Sequence, residues 1–164
     1  MKQYIGTKLI EAEKAYRVDG KVVTLPENKV PCGSKIERGY KVRYADGYES
    51  FSPQGVFESA YRETSGMNFG LALEAAKKGA RIARAGWNGK NQYVELAECI
   101  SYLTTGGLHV NADHNAIGNK ALAFVGTSGV QLGWLASQAD MLADDWMIVG
   151  EAAERYNGDT AAEG

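Results

Sequence analysis

The chain has 164 residues, 45% of them hydrophobic and 23% charged, with a formal net charge of −2, which suits one ordinary globular domain or two small ones. Residues 1–65 carry 11 Lys/Arg against 9 Asp/Glu, a balance of +2, and residues 66–164 carry 7 against 11, a balance of −4. A polymeric nucleic acid as partner would call for a clustered basic excess, which is missing; a small anionic ligand needs only a few local donors.

The two cysteines, Cys32 and Cys99, stand in different halves with no CxxC spacing, so neither a metal centre nor a disulfide framework is expected. Two isolated thiols suit a reducing cytoplasm. The start of the chain, Met1-Lys2-Gln3-Tyr4-Ile5-Gly6, has no apolar leader core, and no run approaches the ~18 apolar residues of a membrane span. The expectation is a soluble intracellular protein that does not engage a membrane.

In chain order, residues 2–14 alternate weakly and read as a strand entering a loop, and Lys21–Leu25 as a second strand or extended arm. Residues 26–39 hold Pro26, Pro31, Gly33 and Gly39 and read as a loop. Tyr40–Tyr44 alternates at period two, Asp46-Gly47 is a hairpin signal, and Tyr48–Phe51 is the returning strand. Ser52 as N-cap and Pro53 as first helical residue predict a helix from Gln54 to Arg62. Thr64-Ser65-Gly66 reads as a linker, and Asn68 caps a helix over 69–78 that Gly79 ends. Leu71, Ala72, Ala75 and Ala76 form its buried face. Strands are predicted over 80–86, 92–98, 121–125 and 130–134, with a long polar loop, Ser101–Lys120, between the second and third. Ser137 starts a short helix to residue 144, Trp146–Val149 is a final strand, and the tail from Gly150 is frayed.

The chemistry concentrates in the second half. Trp87 follows Gly86 at a strand end and precedes the turn pair Asn88-Gly89. A core role and a ligand role both fit it. An indole face stacks a nucleobase, worth ~1–3 kcal/mol per base, and the nearby Arg81 and Arg84 carry forks that match phosphate oxygens. Trp134 either closes the sheet's core or forms a second aromatic wall. Ser137, Gln138 and Asp140 surround a helix start, where exposed N–H groups suit anions and Asp140 can accept from a ribose hydroxyl; capping explains Ser137 and Asp140 equally well. Asp144-Asp145 reads as a solvated helix end and Trp146 as core. His109 and His114 lack helical spacing and a carboxylate cluster, which argues against a metal. No nucleophile elbow, zinc-protease motif, Walker loop or dinucleotide fingerprint is present.

Three segments taken together, Met67–Gly79, Ala80–Gly89 and Trp134–Val149, resemble a small phage-borne family, the second class of Thoeris anti-defence proteins. The resemblance covers about half of the chain. It implies a protein that is not an enzyme, takes no cofactor or metal, and sequesters cyclic ADP-ribose-type immune signals, chiefly the 1″–3′ form. It further implies a homotetramer with ligand pockets at subunit contacts, a separate site that in some members holds cyclic di- or trinucleotides, and action in the cytoplasm of the infected bacterial host. The pattern Gly39-Tyr40 through Ser52-Pro53 resembles a small accessory domain of phage proteins.

The sequence therefore predicts an α+β fold of small antiparallel sheets with few short helices in two small domains. Residues 1–65 form an accessory domain, 66–150 the signal-sequestering domain and 151–164 a flexible tail. The expected ligand-binding set is Arg84, Trp87, Asn88, Trp134, Ser137, Gln138 and Asp140. Two rivals stand beside this reading. One is an enzyme that degrades the same signal through Asp113, His114 and Asp140. The other is a phage structural or interaction module with Tyr40, Tyr44, Tyr48 and Phe51 as an exposed aromatic patch.

Overall fold

The computed structural model describes residues 1–3, 5–26, 29, 35–89, 91–116, 118 and 120–150. The tail 151–164 and Cys32, with its neighbours Pro31 and Gly33, lie outside the described residues. The chain divides into two compact units, Met1–Arg62 and Glu63–Gly164. The architecture is α+β, with short antiparallel sheets and, among the described residues, three short helices.

The first unit is one antiparallel sheet carrying a helix. Strands β1 (Glu11–Val18), β2 (Lys21–Val23), β3 (Ile36–Arg43) and β4 (Glu49–Pro53) pair in the order β2-β1-β3-β4, followed by α1 (Gln54–Ala60). Asp19 and Gly20 join β1 to β2 with φ of 48° and 85°, the twist that lets a two-residue loop follow the sheet. The first strand starts at Glu11 rather than Lys2, because pairing to β3 runs from Glu11↔Arg43 to Val18↔Ile36. That pairing also draws Ile36–Gly39 out of the predicted loop. Ser52 does not cap α1. It pairs with Tyr40 in the β3–β4 ladder, and the extended Pro53 (ψ 144°) occupies the cap with no side-chain bond.

Alternation in this sheet separates the aromatic residues. Tyr40 faces α1 and stacks on Phe57, with ring centroids 4.0 Å apart. Phe51 pairs in register with Lys41, one residue on, so it points to the opposite face, where the Arg17 guanidinium lies 4.3 Å from its centroid. The four rings of the interaction-module reading therefore do not share one surface.

The second unit places α2 (Phe69–Lys77) on a five-stranded antiparallel sheet in the order β10-β9-β6-β5-β11. The strands are β5 (Ile82–Arg84), β6 (Tyr93–Ala97), β9 (Ala121–Gly126), β10 (Gly129–Leu132) and β11 (Trp146–Ile148). Asn68 caps α2 by accepting from the Leu71 N–H at 2.9 Å, a contact worth about 1 kcal/mol, and Gly79 leaves the helix at φ 92°. Ala72 and Ala76 are fully buried, with Leu71 and Ala75 partly so. Small side chains on this face let the helix approach Ile82, Val94 and Trp146, the fully buried centre of the core. Met67 bridges to Trp146 through two backbone hydrogen bonds, 2.8 and 3.0 Å, so the chain entering α2 also covers the outer edge of β11.

The segment 101–120 is more ordered than a plain loop. It contains a two-stranded hairpin of β7 (Tyr102–Leu103) and β8 (His109–Val110). Thr104 closes its turn, accepting from Gly107 and Leu108 at 3.0 Å each. Between β9 and β10, Thr127-Ser128 alone form the loop, since Gly126 and Gly129 already pair.

Candidate functional site

Strand β5 runs against β11 so that Arg84 stands opposite Trp146. That register brings Asp145 beside the start of the turn containing Gly86 and Trp87. The Asp145 carboxylate accepts from Arg84 Nε at 2.8 Å and from the Gly86 N–H at 2.8 Å. Helix α3 (Gln138–Met141) supplies the second carboxylate. Ser137 caps it, accepting from the Asp140 N–H at 3.2 Å, while Asp140 accepts from the Ser137 N–H at 3.0 Å and its Oγ at 2.6 Å. This reciprocal box fixes the Asp140 side chain. Its Oδ1 then accepts from Arg84 Nη1 at 3.1 Å and from the Trp87 indole N–H at 3.3 Å, and its backbone carbonyl accepts from the Trp146 indole N–H at 2.9 Å. One aspartate thus orients an arginine and two tryptophans.

Three indoles meet edge to face. Trp87 lies 6.0 Å from Trp134 and 5.4 Å from Trp146, and Trp134 lies 6.3 Å from Trp146, all between 72° and 75°. Phe124 adds an edge contact to Trp87 at 5.6 Å. Such arrangements are favoured by the ring quadrupole. Trp146 is fully buried, whereas Trp87 and Trp134 are half-buried at the rim. Trp134 is set there by its backbone: after β10, the N–H groups of Gly133 and Trp134 both donate to the Leu122 carbonyl, at 3.1 and 2.9 Å.

Of the residues singled out from sequence, Arg84, Trp87, Trp134, Ser137 and Asp140 fall into this one cluster. Asn88 and Gln138 are exposed beside it in the chain. Arg84 commits Nε and Nη1 to Asp145 and Asp140, with its side chain only 20% exposed; one guanidinium between two carboxylates leaves the centre formally negative. Arg81 goes elsewhere, to Glu95 at 3.3 Å and over the Tyr93 ring at 4.7 Å. Asp145 is a cluster member, not a solvated helix end. The signal that would have found it is the strand pairing that sets residue 145 beside residue 84. Phe124 was likewise missed; its alternation on β9 points it at the helix-covered face. Among the described residues no group of three or more His, Cys, Asp and Glu is placed to hold a metal ion.

Electrostatics favours the charged form of Asp140. Burial works against its charge, but the hydrogen bonds from Ser137, Arg84 and Trp87 outweigh it and lower the carboxyl from 3.8 to about 2. Hydrogen bonding to Arg84 also lowers Asp145, and Asp145 and then Asp140 raise Arg84. A carboxyl depressed in the folded state contributes stability above its unfolded value that is lost as pH falls through its folded value. The expected result is a loss of about 1–2 kcal/mol between pH 4 and 2 that Asp140→Asn no longer shows. Denaturant titrations of both proteins across that window measure it; equal pH slopes would remove Asp140 from the account.

A groove of about 250 Å³ lies in the first unit, lined by Glu11, Glu13, Lys41, Arg43 and Glu49. Its cations are already paired, Lys41 to Glu49 at 2.9 Å and Arg43 to Glu49 and Glu11 at 3.1 and 3.3 Å.

Comparison with known proteins singles out the second unit. The family described as the Thoeris anti-defense 2-like domain matches residues 67–149, from the bridge residue Met67 to one residue past β11. The chain is also 37% identical over 84 residues to "Thoeris anti-defense 2" of Bacillus phage SP01, a match covering 51% of this chain and 94% of that protein. The chain belongs to the Thoeris anti-defense 2-like family.

Proposed function

We propose that this protein counters Thoeris defence by binding and sequestering a cyclic nucleotide-type immune signal, 1″–3′ glycocyclic ADP-ribose first, without cleaving it. The observation that carries the reading is the coincidence of the family match with the unit that gathers Arg84, Trp87, Trp134 and Asp140. Half-buried indoles at a rim offer a stacking surface for a base, and Asp140 and Ser137, whose hydrogen bonds are taken up within the cluster, hold that surface in place. Arg84 acts first as the post that holds both carboxylates and, through Asp140, the Trp87 ring.

In this reading residues 66–150 are the sequestering domain and 1–65 an accessory domain. Apolar side chains left in water support an assembly of several copies, a tetramer in the reading proposed here. Val130 is 65% exposed, Leu135 88% and Leu142 77%, and the edge strand β10 is exposed throughout. The protein would act inside the infected host cell; among the described residues no helix is long and apolar enough to cross a membrane. Cyclic di- or trinucleotides are the second ligand class to try.

The degrading-enzyme alternative would use Asp113, His114 and Asp140, and the hydrogen bonding of Asp140 argues against a proton-carrying role for that residue. An acid–base group works best with a pKa near the working pH, whereas Asp140 is held near 2 by its four hydrogen-bond donors. Isothermal titration with the 1″–3′ signal tests the proposal: saturable binding, unchanged by EDTA and by His109→Ala, is expected. Absence of binding would sink the proposal, and loss of affinity on chelation would overturn its metal-free form.

A further inference from the structure

A thiol and an imidazole meet apart from the tryptophans. Cys99 leaves β6 in a bend, half-buried, with its Sγ 3.7 Å from Nδ1 of the exposed His114. The loop that presents His114 is built around Asn111. The Asn111 side-chain amide donates to the Ile100 carbonyl at 3.0 Å and the Ala116 carbonyl at 2.8 Å, and its oxygen accepts from the Ala116 N–H at 2.9 Å. The His114 N–H donates to the Asn111 carbonyl at 3.1 Å. Because Ile100 adjoins Cys99, this clamp ties the imidazole's loop to the thiol's own segment. His114 adopts φ 53°, a left-handed conformation in which histidine and asparagine are both enriched among non-glycine residues.

We propose that Cys99 and His114 form a thiol–imidazole pair that undergoes exchange with low-molecular-weight disulfides, making Cys99 a site of reversible S-thiolation. The imidazole Nδ1 accepts the thiol proton as the Cys99 sulfur attacks one sulfur of the incoming disulfide. The new S–S bond forms as the old one breaks, and the departing thiolate takes up the proton from His114. One thiol and one disulfide give one mixed disulfide and one small thiol, with no other oxidant. The proposal is independent of the signal-binding reading.

The test uses the full chain carrying Cys32→Ser, which leaves Cys99 as its one thiol, with oxidised glutathione as the probe. Intact mass is expected to show a single glutathionyl adduct that a reductant removes. At neutral pH, His114→Asn, which keeps a residue suited to the left-handed backbone but removes the base, is expected to slow adduct formation by about tenfold or more. Circular dichroism checks that the variant is folded, and Asn111→Ala, which releases the clamp, should slow the reaction in the same direction. Equal rates for the parent and His114→Asn would show an ordinary exposed thiol and overturn the proposal, as would a folded parent that forms no adduct.

Discussion

Trp146→Ala is expected to destabilise the protein by about 3–5 kcal/mol, the cost of removing a large buried aromatic and leaving a cavity. The ring is fully buried among Phe69, Trp87 and Trp134 and donates to the Asp140 carbonyl. Its loss therefore removes packing from the helix, the sheet and α3 together. Chemical denaturation of the parent and the variant measures the difference, and soluble yield should fall with it. A change below about 1 kcal/mol, the scale of a surface substitution, would mean that Trp146 does not anchor the core.

Trp87→Ala is expected to weaken binding of the 1″–3′ signal by about tenfold to a hundredfold, the loss of one base-stacking surface. It should also cost stability, about 1–3 kcal/mol and less than Trp146→Ala, because the ring is half-buried yet touches three other aromatic rings. Trp87→Phe separates the two effects, since it keeps much of the packing while removing the indole N–H that reaches Asp140. Calorimetry at a temperature where both variants are folded gives the affinities. Parental affinity in folded Trp87→Ala would place the ligand elsewhere.

What could be read from sequence was what local chemistry decides. Asn68 and Gly79 bound α2 because a cap and a left-handed exit act within a few residues. Asp46-Gly47 turned its hairpin for the same reason, with Tyr44 accepting from Gly47 at 2.9 Å. Ser137 and Asp140 were legible as a cap, and Trp146 as core. Ser52 misled because a cap signal lost to a sheet partner, Tyr40, that lies 12 positions away. The hairpin inside 101–120 was hidden by its polarity; two-residue strands carry too little pattern to register.

The site was legible in its members and not in its wiring. Arg84, Trp87, Trp134 and Asp140 have the right chemistry on inspection, but Arg84 and Asp145 are 61 residues apart, and only the β5–β11 register brings them together. Read alone, Arg84 is a fork for phosphate; in the fold, two carboxylates engage it and turn it into scaffolding. Asp144-Asp145 misled in the opposite sense, as adjacent acids suggest solvent when one of them is in fact committed. Cys99 and His114 were each dismissed as metal ligands, and their pairing depends on a backbone conformation that the residue types do not announce.

The central claim is that the protein holds its signal intact. Full-length protein is incubated with 1″–3′ glycocyclic ADP-ribose, freed of unbound ligand, heat-denatured, and the released small molecule weighed by mass spectrometry. The account predicts recovery of the unaltered cyclic signal, in proportion to protein and unchanged by longer incubation. A linear or cleaved product that accumulates with time would contradict it and establish an enzyme instead.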